Sequence, residues 1–344
     1  MLVSAVQFCL GPLNKLLSNR EFFFHQRRFT VKKVLLIGNT VLDICGFVDH
    51  LPQIDEDIMP QKTFNRVSGT GWCMANAFRI LNMPYSLISH TGTGVYSELP
   101  VQKAEELDIR MPEYEETAGC TYTLVDPKGN YRSLMIMGGE YDFLPSALDG
   151  ISEEDHSCVI CSGSQFEKDP QLLLGYLQSL HLPIVFKPSG YSILQNSMVL
   201  SQLFDLHPVL HLSEAEAAYL CEGRAEDLNE AAEYIYSLTE APVMILLDDL
   251  RCLYYDGETE EVSGADHHDH VDLSGADCGH LAAYVIAKNC GLNISQSLEF
   301  AGKYAGTVSV TDDTIPDRAE EERLKQILSS MIMSTDIRKA IKKQ

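Results

Sequence analysis

Four short stretches, 34–37, 158–161, 184–186 and 243–247, are apolar at successive positions rather than alternate ones, and each closes on a turn or a polar residue. Strands read this way when both faces are buried, as in a parallel sheet covered on each side by helices. Helical patterns fall between and beyond them at 169–179, 213–220, 229–238 and 296–309. Such a chain is expected to form a doubly wound α/β sandwich, with ligands beyond the C-terminal ends of the parallel strands.

Two regions break that rhythm. Residues 59–67 read as a half-buried strand, and 121–125 with 132–137 as a hairpin closed by Asp126-Pro127-Lys128-Gly129-Asn130. A small sheet drawn from roughly 45–67 and 117–140 is therefore expected as a lid over the strand ends. The α/β domain spans 34–344 and ends in a surface helix over 318–343. An extension over 1–33 precedes it. That extension carries six basic residues against the single acid Glu21, a net +5 beside −28 for the remainder. Its apolar opening is broken by Gly11-Pro12 and has no basic residue before it, a poor fit to a secretory signal; the scarcity of acids leaves an organelle presequence as the alternative to a plain extension.

With 344 residues, 45% of them hydrophobic, the chain can bury a sizeable core. Its 26 Lys and Arg face 49 Asp and Glu, and a net charge of −23 repels nucleic-acid phosphates and anionic lipid surfaces. No run of 18 apolar residues occurs, so no spanning helix is expected. The ten cysteines are scattered and read as reduced thiols in a cytoplasmic protein.

The chemistry concentrates in Val271-Asp272-Leu273-Ser274-Gly275-Ala276-Asp277-Cys278-Gly279-His280, which runs into an apolar helix. A small-residue turn feeding a helix start aims free backbone N–H groups outward, backed by the positive end of the helix dipole. That arrangement suits charge on a transferring phosphoryl group, although an ordinary helix start explains the same residues. Asp43 follows the first strand closely and could accept two sugar hydroxyls. Ser68-Gly69-Thr70-Gly71 opens a helix carrying Asn76, and Ser213-Glu214-Ala215-Glu216 opens another.

Together with His50-Leu51-Pro52, Thr117-Ala118-Gly119 and the segment 183–188, this order from 34 to about 316 resembles the ribokinase (PfkB) carbohydrate-kinase family. The resemblance implies a ribokinase-like α/β sheet with a β-lid. It also implies ATP-dependent phosphoryl transfer to a hydroxymethyl of a sugar or nucleoside-like small molecule. Asp43, Gly69 and Gly71 would hold that substrate, with Asn76 one helical turn beyond the position where the family has its asparagine. Gly275 and Ala276 would form the anion hole, Glu216 would organise Mg²⁺ through water, and Asp272 would support a monovalent cation. Many relatives pair through the lid, so a homodimer is expected.

Departures from the family pattern are numerous. Ser68 replaces a glycine, Cys73 the substrate-binding asparagine, Lys187 an aspartate, and Ser213 an asparagine. Thr93-Gly94 stands for two aspartates, and Leu246-Leu247-Asp248 for a Thr-x-Gly. An ungapped comparison puts Asp277 at the second glycine of the key motif and Cys278 at the catalytic base. With one glycine deleted, Asp277 becomes the base instead. The ungapped version better preserves the following helix, and a thiol with an ordinary pKa of about 8.5 makes a poor base. The alternative is therefore a catalytically silent sugar- or nucleotide-binding relative.

Plainer explanations exist for several of these residues. Ser213 and Glu216 form a capping box, Gly69 and Gly71 permit a tight turn, and Asp43 can cap one. Asp266-His267-His268-Asp269-His270 reads as a solvated acidic loop rather than a zinc site, and Cys158-x-x-Cys161 as core thiols.

Overall fold

The first strand, β1 (Lys33–Ile37), sends Val34 and Leu36 into one hydrophobic cluster and Leu35 and Ile37 into another, one on each side of the sheet. The computed structural model describes residues 31–189, 192–263 and 270–341. Nearly all of the N-terminal extension, and the acidic histidine loop apart from His270, lie outside them.

Around β1 runs an eight-stranded sheet. Its other members are β4 (Tyr85–Ile88), β9 (His156–Ser162), β10 (Ile184–Lys187), β11 (Val209–Ser213), β12 (Val243–Leu246), β13 (Cys252–Tyr255) and β14 (Glu260–Ser263). The spatial order is β14-β13-β12-β11-β10-β9-β1-β4. Pairing is parallel from β4 to β12 and antiparallel at the β13–β14 edge. The expected doubly wound, mostly parallel sheet is present. Strand β11 escapes the apolar pattern because His211 interrupts it, yet that imidazole is fully buried.

The four expected helices form as Pro170–Ser179, Glu214–Cys221, Leu228–Thr239 and Ile294–Ser309. Their starts follow the capping rules: Asp169 accepts the Leu172 N–H, and Ser213 and Glu216 complete a capping box. Cys158 and Cys161 fall into the two opposite clusters, and every cysteine among the described residues is free and buried. No helix among the described residues is long and apolar enough to cross a membrane.

The second sheet has the order β3-β2-β7-β8, built from β2 (Val41–Phe47), β3 (Lys62–Ser68), β7 (Cys120–Val125) and β8 (Tyr131–Ile136). Strands β2 and β7 are parallel, and the outer pairs are antiparallel. The sheet begins at Val41, earlier than the sequence pattern suggests. β2 carries Asp43 and Gly46 among its apolar residues, so it lacks the unbroken apolar run of the main-sheet strands although it is buried along most of its length. A short parallel pair, β5 (Thr91–Thr93) and β6 (Glu113–Thr117), lies beside it in the chain. Where β7 begins and β8 has ended, the buried Glu140 carboxylate accepts the N–H groups of Gly119 and Gly138, both at 3.0 Å, and ties the two strand roots together.

Candidate functional site

A cavity of about 450 Å³ opens between the inner face of the small sheet and the C-terminal ends of the parallel strands, where ligands bind in open α/β folds. Asp43 and Thr123 line it from the small sheet. Lys187 and Ser213 close β10 and β11 on the opposite wall, beside Glu216. Gly275, Asp277 and Cys278 contribute the start of the Ala276–Asn289 helix.

Tight backbone packing shapes the front of the cavity. Gly71 follows β1 so closely that a Cβ there would lie 2.4 Å from the Gly38 carbonyl oxygen. Gly69 holds φ +105° beside Asn39. Asn39 Oδ1 accepts both the N–H and the hydroxyl of Thr70, at 3.2 and 3.1 Å, and so fixes the start of the Thr70–Ile80 helix. The turn requirement explains both glycines. Cys73 lines the cavity as a buried thiol pushed up to about 12 by burial. Asn76, one turn on, is not part of the cavity wall. Its amide donates to the Trp72 carbonyl, and its oxygen accepts from Arg79 Nε, so the substrate role expected for it is not supported by its position.

Asp43 does line the cavity, but it is almost completely buried and both of its oxygens are engaged. Thr123 Oγ1 donates to Oδ1 at 2.6 Å, and Arg66 Nε donates to Oδ2 at 2.8 Å. Burial pushes the carboxyl above the usual carboxylate range, against the pull of Arg66 and Thr123. Arg66 lies directly opposite Asp43 in the β2–β3 ladder and was not singled out by the sequence motifs. No alternation on β3 marks it; its register opposite Asp43 is what puts the two side chains on one face.

At the helix start, Gly275 adopts φ +83° and turns the chain into the helix. Two of the N–H groups behind it are occupied: Ala276 donates to the Leu273 carbonyl at 3.2 Å, and Cys278 donates to Asp277 Oδ1 at 2.7 Å. Ala276 itself is fully buried, away from the cavity wall. Asp277 Oδ2 pairs with Lys187 Nζ at 2.6 Å. Burial opposes the Asp277 charge, but the Lys187 ammonium and the Cys278 N–H outweigh it and hold the carboxyl below the usual range. Burial likewise opposes the Lys187 charge, and the Asp277 carboxylate, with Glu216 nearby, keeps the amine protonated. The Cys278 thiol is driven well above its ordinary value, first by burial and then by Asp277. A neutral, buried thiol is no general base.

Behind this centre, His211 Nε2 and His280 Nδ1 lie 3.1 Å apart, both rings fully buried. Their outer nitrogens, His211 Nδ1 and His280 Nε2, have no partner. Burial drives both imidazoles neutral, His280 down to about 3.

Glu216 Oε2 accepts the Ser213 N–H at 2.8 Å, and the Lys187 ammonium stands on the same wall, which disfavours a dication. Among the described residues no three His, Cys, Asp or Glu side chains converge as metal ligands. A monovalent cation fits no better. Asp272 Oδ2 already accepts from Arg66 Nη1, and Oδ1 accepts the Ser274 N–H at 2.8 Å. A phosphate at the helix start would meet the Asp277 carboxylate, a like charge on the N–H group it would need. As they stand, Glu216, Asp272 and the Cys278 N–H are engaged by protein partners rather than open to Mg²⁺, a monovalent cation or a phosphoryl group.

No family model and no curated protein sequence matches the chain. Solved structures do. Ribokinase from Giardia lamblia shares 17% identity and a TM-score of 0.72, over 88% of this chain and 99% of its own. Arabidopsis thaliana ribokinase, complexed with ribose and ATP, shares 17% identity at a TM-score of 0.65, over 86% of this chain and 99% of its own. A Burkholderia thailandensis nucleoside kinase, in complex with inosine, shares 15% at a TM-score of 0.69, over 86% and 98%. At these identities the likeness is one of architecture, and by that likeness the chain has the ribokinase fold in a divergent form.

Proposed function

We propose that the chain binds a sugar or nucleoside-like small molecule in this cavity and that phosphoryl transfer is switched off at the helix start. One observation carries this reading: the Asp277 carboxylate sits on the Cys278 N–H and is held there by Lys187. A transferring phosphoryl group needs free N–H donors and a base to take the hydroxyl proton. Here a carboxylate takes one donor, and the thiol at the base position stays neutral. Asp43, Thr121, Ser133 and Ser164 give the cavity a polar wall that suits a polyhydroxylated ligand. Reduced, buried cysteines support a cytoplasmic location.

A kinase with Asp277 as a displaced base is the second reading. It is favoured by one observation: Asp277, held below the usual carboxylate range by Lys187, lines the same cavity as Asp43. In that case ATP and Mg²⁺ would be its cofactors. The deciding experiment measures ligand binding by calorimetry and nucleotide turnover in parallel, over a panel of sugars and nucleosides. Binding of a panel member with turnover at background supports the silent form. Robust turnover that is abolished by Asp277→Asn, with ATP binding intact, establishes the kinase.

A further inference from the structure

Arg66 is the most heavily engaged cation among the described residues. Its side chain is 3% exposed, and four of the five N–H donors of its guanidinium are used. Nε reaches Asp43 Oδ2 at 2.8 Å, Nη2 reaches Ser274 Oγ at 2.7 Å, and Nη1 reaches both Asp272 Oδ2 and, at 3.0 Å, the Asp312 carbonyl. The ring of Phe64 lies 5.8 Å from the guanidinium carbon. Arg66 belongs to β3 of the small sheet, whereas Asp272, Ser274 and Asp312 belong to the α/β body. One planar group therefore joins the lid strand to the turn that launches the Ala276–Asn289 helix.

The donor set around Nη1 and Nη2 is a carboxylate oxygen, a backbone carbonyl and a hydroxyl. Such hard oxygen donors around one positive charge are what a bound alkali cation would recruit, and Asp272 is the acid expected to support one. We propose that Arg66 is a resident cation. Its guanidinium takes the place and the charge of an exchangeable monovalent cation, so the turn at 272–275 orders without K⁺ or Na⁺. Covalent attachment makes the charge permanent; burial opposes it, and the Asp272 and Asp43 carboxylates outweigh that cost and keep it protonated. The fork geometry adds what a spherical ion lacks, a directed link to Asp43 on the lid.

The test uses the full chain and the melting temperature in K⁺, Na⁺ or N-methylglucamine chloride at equal ionic strength. The wild type is expected to melt at the same temperature in all three. Arg66→Ala is expected to melt lower and to regain about 2 °C or more with K⁺ or methylguanidinium over N-methylglucamine. Arg66→Lys, which keeps the charge but not the fork, is expected to fall between them and to lack that selectivity. Selective stabilisation of the wild type by K⁺ or Na⁺ would overturn the proposal, because an exchangeable site would then persist. An Arg66→Ala protein indifferent to cation identity would also overturn it and leave Arg66 a packing contact. If Arg66→Ala does not fold, the wild-type comparison and Arg66→Lys decide. A K⁺-selective gain in Arg66→Lys counts against the proposal.

Discussion

Lys187 Nζ lies 2.6 Å from Asp277 Oδ2, so a cation closes β10 where the family resemblance implies an acid, and an anion opens the helix where it implies a glycine. The two departures compensate each other. Lys187→Met leaves a carboxylate at the helix start without its counter-ion. Removing one member of a fully buried pair costs roughly 3–5 kcal/mol, and the partial exposure of Asp277 lowers that figure. In Lys187→Met/Asp277→Gly the unpaired charge is gone, and most of the loss is expected to return. Urea unfolding of the two single variants and the double variant gives the coupling. Strict additivity would mean that the two side chains are independent.

Asp43→Ala tests how far the buried network changes what the sequence suggests. From the motif alone, the substitution should weaken ligand binding and leave stability nearly unchanged. In the fold, Asp43 holds Arg66 Nε and the Thr123 hydroxyl. Its loss strands part of a buried guanidinium, and a stability loss of about 3 kcal/mol is expected. Asp43→Asn keeps the shape and is expected to lose less. An Asp43→Ala protein with the wild-type urea midpoint would contradict the network.

The His211–His280 pair sets a pH dependence. Both imidazoles are neutral when folded, driven there by burial, with Lys187 acting in the same direction. In the unfolded chain they take up protons near pH 6.5. Their folded pKa values are depressed, so their full contribution is present above about pH 6.5 and is lost as the pH falls below it, for His280 toward about 3. For two such groups the slope approaches about 2.7 kcal/mol per pH unit. Unfolding free energies from pH 8 to pH 5 should therefore fall on the acid side, and less steeply in His211→Leu/His280→Leu. A flat profile in the wild type would rule the pair out.

The outer face of the small sheet bears on self-association. Tyr122 and Leu134 are register partners and so share that face, and Ile136 lies two residues further along β8. They are 38%, 66% and 46% exposed. An apolar face on an edge strand is a site for a second copy of the chain. Leu134→Glu is expected to keep the fold and shift a dimer to monomer in sedimentation equilibrium. A wild type that stays monomeric at high concentration removes the expectation.

The sheet was legible in the sequence because burial on both faces leaves runs such as 34–37 and 243–247 with no polar position. The helix starts at Asp169 and Ser213 were legible because capping is local, satisfied within three residues. Cavity-lining residues such as Asp43, Gly275 and Asp277 were found from motif order alone. Tertiary structure alone decided which groups those residues meet. Arg66 is more than 200 residues from Asp272 and Ser274, and Lys187 is far from Asp277 in the chain, so no spacing announces either pairing. Asn76 is the opposite case: Trp72 and Arg79, which take its amide, are four and three residues away on the same helix, so that engagement is local. Backbone periodicity is written into neighbouring residues. The partner of a buried charge is fixed only when distant segments exclude water between them, and that step determines which acids in this cavity remain free to act.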